Sequence, residues 1–456
     1  MANSRKDILL GLLRSGGQLS TGQQIRLCLA MSYPAILAQL SSVMMQYIDT
    51  AMVGHLGPAA GASIGLVSTC LWLFGGFGMA ATTGFSVQVA HCVGANDFEG
   101  ARSVVRQGLV CALVFSGILT LIGITLSPFL PGWLGGGEDI NADASSYFLI
   151  MSLFMPAMAL DWTCAYMLQA SGNMKVPSIL SIGMCVLDVV FNYIFIYALD
   201  MGVVGAAVGS GLAELVTGIA MFSFLAFRSK ELGLTQEKGS FRPTKPVINK
   251  ALGISGPMAL QNVLMRGGYI AATMIVAPLG TIAIAANSFA ITAESLCYMP
   301  GVGIADAATA LVGQSIGAGR KNMARRFAWI NTLLGMGIMG CLAILMWIFA
   351  PQMMGIMSPD AAVIDLGAQV LRIEAWAELG YAASLVIYGA FVGAADTRIP
   401  SFMNFGSMWI VRIIPAIFVT RIYGLPGFWM CMAVELCFRG TIFMIRLAGG
   451  RWLKDK

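Results

Sequence analysis

Residues 26–57, RLCLAMSYPAILAQLSSVMMQYIDTAMVGHLG, are apolar for long enough to cross a bilayer, yet carry Pro34 early and Asp49 late. Residues 251–280, ALGISGPMALQNVLMRGGYIAATMIVAPLG, repeat that layout. Ser32-Tyr33-Pro34 aligns with Ser255-Gly256-Pro257, Gln39 with Asn262, and Leu56-Gly57 with Leu279-Gly280, each at an offset of 223 residues. Further along, Val93-Gly94-Ala95 falls on Ile316-Gly317-Ala318 and Ala101-Arg102 on Ala324-Arg325. Asn173, Lys175 and Pro177 fall on Asp396, Arg398 and Pro400, and after a one-residue slip Gly202 and Gly205 meet Gly424 and Gly427. A register kept over so many pairs is the mark of a tandem duplication.

The duplicated unit is a membrane unit. Hydrophobic residues make up 57% of the 456 and charged residues only 11%, against roughly 25% charged in a soluble globular chain. The mean hydropathy is +0.79. Many separate apolar runs reach the roughly 20 residues that span a hydrocarbon core. The reading is an all-α polytopic membrane protein with about twelve spans, near 26–53, 61–85, 104–127, 147–170, 177–199 and 203–227, then 249–277, 281–306, 327–350, 366–392, 399–421 and 426–447. These form two six-helix lobes, 26–227 and 249–447. Residues 1–25 make an amphipathic cytosolic lead-in at the membrane surface, 228–248 the linker and 448–456 the tail. The linker segment RSKELGLTQEKGSFRPTKP holds most of the local charge. An even number of spans inserts both lobes the same way, so their pseudo-twofold axis runs along the membrane normal.

Arg102, Arg106, Lys175, the run from Arg228 to Lys250, Arg320–Arg326 and Arg398 lie in or beside every second loop. The intervening loops hold Glu138, Asp139, Asp143 and Asp360, with Arg421 the exception. Basic loops stay cytosolic, which puts both termini inside. Basic residues spread over loops form no patch for nucleic acid. Ten cysteines lie mostly inside apolar runs without a CxxC pair and read as small buried hydrophobes. His55 and His91, far apart at span ends, lack metal-ligand spacing. No nucleophile–base constellation or Walker sequence is present, so neither catalysis nor ATP-driven transport is expected.

Met299-Pro300-Gly301-Val302-Gly303 in the eighth span and Gly75-Gly76-Phe77-Gly78 in the second break helical regularity at matched places. Pro300 and Gly301 are either a hinge for alternating access or sites of close helix packing, as at Gly61-x-x-x-Gly65.

DTAMVGHLG at Asp49, VGANDFEGAR at Val93, LVGQSIGAG at Leu311, and LQASGNMKVP with its partner FVGAADTRIP resemble the repeated signatures of the MATE multidrug and toxic-compound extruders, in particular the bacterial NorM- and DinF-like branch. The resemblance covers essentially the whole chain. It implies a V-shaped pair of lobes in the bacterial inner membrane that exports cationic drugs against inward H⁺ or Na⁺ flow, with no cofactor.

Ionisable groups inside a membrane are rare and costly, and mark function or an internal pair. Asp49 lies in the outer half of the first span. Asp188 and Asn192 lie one turn apart on the fifth, so the three can share an acidic pocket. The resemblance points to the same residues, as the family's first-helix aspartate and its fifth-helix pair. Asp161 on the fourth span is a further coupling candidate. In the second lobe NorM-like members carry a glutamate where this chain has Met265, followed by Arg266. Glu374 and Glu378, an i,i+4 pair on the tenth span, are expected with Arg266 to form either a substrate-binding cation site or an internal salt bridge. Glu435 and Arg439 read as an ion pair, while Glu214, Glu294, Asp306 and Arg412 have no assigned role.

These readings converge on an antiporter, monomeric in its bilayer, that binds small organic cations while its carboxylates are ionised and releases them when protons enter from outside. Sodium is the alternative coupling ion and needs several oxygen ligands. A lipid-linked-oligosaccharide flippase of related architecture would need several basic residues lining its cleft. A channel would need a repeating ring of polar groups.

Overall fold

The structure is a computed structural model that describes residues 5–237 and 239–453. Met1–Ser4 of the expected lead-in, Lys238 of the linker and the last three residues of the expected tail lie outside the described residues. In chain order the helices are α1 (Arg5–Arg14), α2 (Thr21–Gly54), α3 (Pro58–Gly94), α4 (Phe98–Leu126), the single turn α5 (Leu130–Trp133), α6 (Glu138–Leu153), α7 (Met155–Ala170), α8 (Lys175–Asn192) and α9 (Gly202–Ser223). Then follow α10 (Lys245–Val276), α11 (Thr281–Gly317), α12 (Lys321–Met357), α13 (Ala361–Ala375), α14 (Glu378–Gly393), α15 (Arg398–Ser407) and α16 (Ile414–Gly449). No strand occurs among the described residues. In hydrocarbon every backbone polar group must be satisfied within its own segment, which long helices achieve.

Among the described residues nine helical segments are long and apolar enough to cross a membrane, and eleven if each of two bent pairs counts as one. One of the nine, Arg398–Gly449, runs for 52 residues with a non-helical break at Gly424, length for two crossings, which brings the spans to twelve. Each bent pair is a single expected span folded in the middle. α6 and α7 meet at 45°, where Pro156 near the start of α7 removes an amide donor. α13 and α14 meet at 58° across Trp376-Ala377.

Backbone geometry repeats with the sequence. Gly57 and Gly280, one offset apart, take φ of 113° and 95° and start α3 and α11. Asn96 and Gly319 take 59° and 71°, Gly172 and Ala395 90° and 59°, and the slipped pair Gly202 and Gly424 55° and 63°. Left-handed φ carries a penalty for most residues, so matched turns are kept where glycine or asparagine holds most of the positions.

The chain divides into two compact units, Ser41–Ala259 and Met1–Leu40 with Leu260–Lys456. Both crossings fall inside helices, a few residues past Pro34 in α2 and Pro257 in α10. Each unit thus holds the leading part of the other repeat's first helix, and its boundaries cut across 26–227 and 249–447. Glycines permit this packing. A Cβ on Gly303 would stand 2.7 Å from the Ile36 backbone nitrogen, and one on Gly84 would stand 2.9 Å from the Ala251 Cα.

In the first of these units α4 holds the linker. Arg102 pairs with Glu237 and bonds the Gln236 side chain at 2.8 Å, and Gln107 accepts from the Thr244 backbone at 2.8 Å. In the other, α1 turns Leu9, Leu10 and Leu13 into protein contact. Arg14 reaches Gln314 at 3.2 Å, and Arg320 donates to the Leu13 carbonyl at 3.1 Å. The leucine face of α1 therefore packs on its own unit.

Candidate functional site

In the unit Ser41–Ala259 the site forms where α8 ends. Asp188 and Asn192 sit one turn apart on α8, and the helix then widens into a π-helical stretch, Tyr193–Ala198. Such wide turns relax the regular backbone ladder and recur at functional positions. On α9, Gly209 lets the helix come close, since a Cβ there would lie 2.9 Å from the Asn192 amide nitrogen. Asn192 Nδ2 donates to Asp188 Oδ2 at 3.1 Å, Asp49 Oδ1 at 3.2 Å and Ser210 Oγ at 3.4 Å. The Asp49 and Asp188 carboxyls are themselves in hydrogen-bonding contact. Two carboxyls so placed offer a place for one shared proton or a replacing cation. Asp188 is 1% exposed and Asn192 2%, while Asp49 is only half-buried.

Asp161 on α7 stands outside this bonded group. Among the described residues its buried Oδ1 has no hydrogen-bond partner, and neither has Oε2 of Glu214 on α9. Glu214 is within electrostatic reach of both Asp161 and Asp188. It lies one turn beyond Ser210, a spacing that extends the polar face of α9 from the first acid pair toward the second. Sequence reasoning left Glu214 without a role, although its i,i+4 relation to Ser210 was there to be found.

The other unit gathers Glu294 (α11), Glu374 (α13), Glu378 (α14) and Glu435 (α16). Glu374 is within electrostatic reach of Glu294, Glu378, Glu435 and Arg412. The bend between α13 and α14 falls between Glu374 and Glu378, so they are not an i,i+4 pair on one straight face; Glu378 opens a new helix. Both are fully buried; neither Glu374 oxygen has a hydrogen-bond partner among the described residues, and the Glu378 carboxyl has the Cys297 thiol beside it. The Arg266 guanidinium lies over the Tyr269 ring at 5.9 Å. Glu435 does pair with Arg439, at 3.1 Å, and accepts from Ser407 Oγ at 2.6 Å.

A cavity of about 400 Å³ opens beside this cluster. It is lined by Glu294, Arg412, Arg439, Tyr269, Tyr298 and Tyr381 among others, and by neither Glu374, Glu378 nor Arg266. Arg412 sits in another π-helical stretch, Met408–Ile413. Pro300 and Gly301 lie buried in α11, which runs unbroken through them. A Cβ on Gly301 would meet the Met339 side chain and, at 3.0 Å, Leu385 Cδ2.

The profile of the family described as MatE matches residues 34–194 and 257–418, so the two matches begin at the paired prolines. The chain is 27% identical over 435 residues to a probable multidrug resistance protein NorM of Thermotoga maritima, covering 93% of this chain and 92% of that one. It is 26% identical to a protein of the same name from Bacillus anthracis, covering 94% and 96%. Among solved structures it is similar to a mutant of the Vibrio cholerae MATE transporter VcmN, with a TM-score of 0.88, 19% identity and coverage of 96% and 99%. It is also similar to an outward-facing multidrug resistance MATE family transporter of the MOP superfamily, with a TM-score of 0.89, 18% identity and coverage of 97% and 98%.

Proposed function

Because this chain belongs to the MatE family and is a multi-pass membrane transporter, we propose that it exports cationic, amphipathic organic compounds in exchange for protons. Probable multidrug resistance is what the names of its NorM relatives state, and export of drugs is the reading we draw from it. The observation that carries the coupling is the contact of Asp49 with Asp188, bridged by Asn192 and Ser210. A pair of this kind holds one exchangeable positive charge, and a coupled carrier needs a group whose occupancy differs between its inward- and outward-open states. Protons arriving from outside cancel negative charge in the pocket, which weakens the hold on a cationic cargo and favours its release outward. Once the proton leaves inward, the ionised pocket draws in the next cation.

In this reading Asp161 and Glu214 extend the proton-binding face, and Glu374 and Glu378 supply negative charge behind the cavity of the other unit. Sodium is the alternative coupling ion. The protein works as a monomer without a resident cofactor in a bacterial inner membrane, its termini in the cytosol. The test is release of a fluorescent organic cation from loaded proteoliposomes under a pH gradient alone or a sodium gradient alone. Release driven by pH and absent in Asp49→Asn is the expected result. Release driven only by sodium replaces the coupling ion, and release indifferent to both gradients overturns the antiport reading.

A further inference from the structure

Arg412 is 8% exposed and faces the 400 Å³ cavity. Among the described residues it makes no hydrogen bond or ion pair, and its Nε is fully enclosed without a partner. The Phe428 ring lies 5.5 Å from the guanidinium carbon, and the Glu294 and Glu374 carboxyls are within electrostatic reach without bonding it. Arg439, lining the same cavity, is ion-paired with Glu435 at 3.1 Å and also lies over Tyr381. Two buried arginines thus share one cavity, and only one of them is paired. A buried guanidinium with five unused donors is costly, and its planar fork fits a carboxylate with two parallel bonds.

Glu294 lines the same space, yet no nitrogen of Arg412 comes within 4.0 Å of its carboxyl. Opposite charges are therefore held apart across a hollow, which leaves room for a ligand that bears both. Tyr269, Tyr298 and Phe428 add aromatic walls. The volume falls within the roughly 300–1,000 Å³ of small-molecule sites.

The geometry points to this cavity as a binding site for an aromatic zwitterion, with Arg412 receiving its carboxylate and Glu294 its amine. The inference rests on the proposed export role and names a feature of the cargo. A bare cation would leave Arg412 unsatisfied and facing a like charge, so a carboxylate on the ligand strengthens binding here.

Two dyes that differ only at this group test it. Rhodamine 110 carries a free carboxylate on an aminoxanthylium ring, and rhodamine 123 is its methyl ester. In equilibrium dialysis with the purified full chain, the free acid should bind about tenfold tighter than the ester, the scale of one charge-assisted pair. Arg412→Gln should remove that preference and leave the ester within about twofold, since only the acid meets the guanidinium. Arg412→Met serves if the glutamine variant does not fold, because apolar replacement of a buried ion is well tolerated. Glu294→Gln should weaken both dyes. If neither arginine variant folds, benzoate should displace rhodamine 110 from the wild-type chain and benzamide should not.

Equal binding of the two dyes, an equal loss of both in the arginine variants, or equal displacement by benzoate and benzamide overturns the site. Asp49→Asn should lose gradient-driven export and keep the dye preference. Export without the preference therefore refutes this site alone, and the preference without export refutes the antiport reading alone.

Discussion

Asn192 uses one amide nitrogen, with two hydrogens, to hold three oxygens from three helices. That economy makes the pocket sensitive to the charge of its carboxyls and tolerant of their shape. Asp49→Asn keeps size and removes the titratable charge, so it should abolish gradient-driven efflux while the protein still inserts and purifies at wild-type yield. Asp188→Asn should give a similar or weaker defect, since the remaining acid can hold the exchangeable proton. Wild-type coupled transport by Asp49→Asn would shift the search to Asp161 and Glu214. The Glu435–Arg439 pair is a different case. It is buried and closed, so Arg439→Met should destabilise by about 3–5 kcal/mol through the stranded carboxylate. Adding Glu435→Gln should recover part of that loss in a thermal melt, and no recovery would mean that the arginine matters for packing alone.

At the scale of elements, close helix contacts decide which glycines are replaceable. On α11, a Cβ at Gly303 would press on the backbone of α2, which cannot move aside, whereas at Gly301 it meets the flexible end of Met339. Gly303→Ala should therefore lower stability by about 1–3 kcal/mol, and Gly301→Ala should melt close to wild type. If Gly301 is also a hinge, its alanine variant will transport more slowly despite that stability. Unchanged turnover would leave Gly301 a packing residue. The two bends were not legible in the sequence. Hydropathy averages over a whole span, so each reads as one crossing, and the one-turn spacing of Glu374 and Glu378 reads as a shared face. The structure breaks the helix between them.

At the scale of the whole molecule, orientation rests on the basic loops. An impermeant thiol reagent applied outside intact cells should label cysteines placed at the exposed positions Asp139 and Asp360. It should not label those at Thr235 or Asn322. Labelling at Thr235 would invert the orientation and, with it, the direction of proton entry assumed for export. Each proposed site lies within one unit: Asp49, Asp188 and Asn192 in Ser41–Ala259, and the Arg412 cavity in the other.

The amino-acid sequence by itself determined the duplication, the number of spans, and the presence of Asp49, Asp188 and Asn192 as polar groups inside them. Those follow from hydropathy and short-range helical spacing, which are local properties, and from the cost of acids in hydrocarbon. Only the tertiary structure decided that the first helices exchange their leading parts between units. It also decided that Glu294 and Arg412 line one cavity. Those partners stand more than a hundred residues apart, as Glu294 does from Arg412. Nothing in the spacing of residues on one helix states which helix it will meet, because that choice belongs to the packing of side chains across helices.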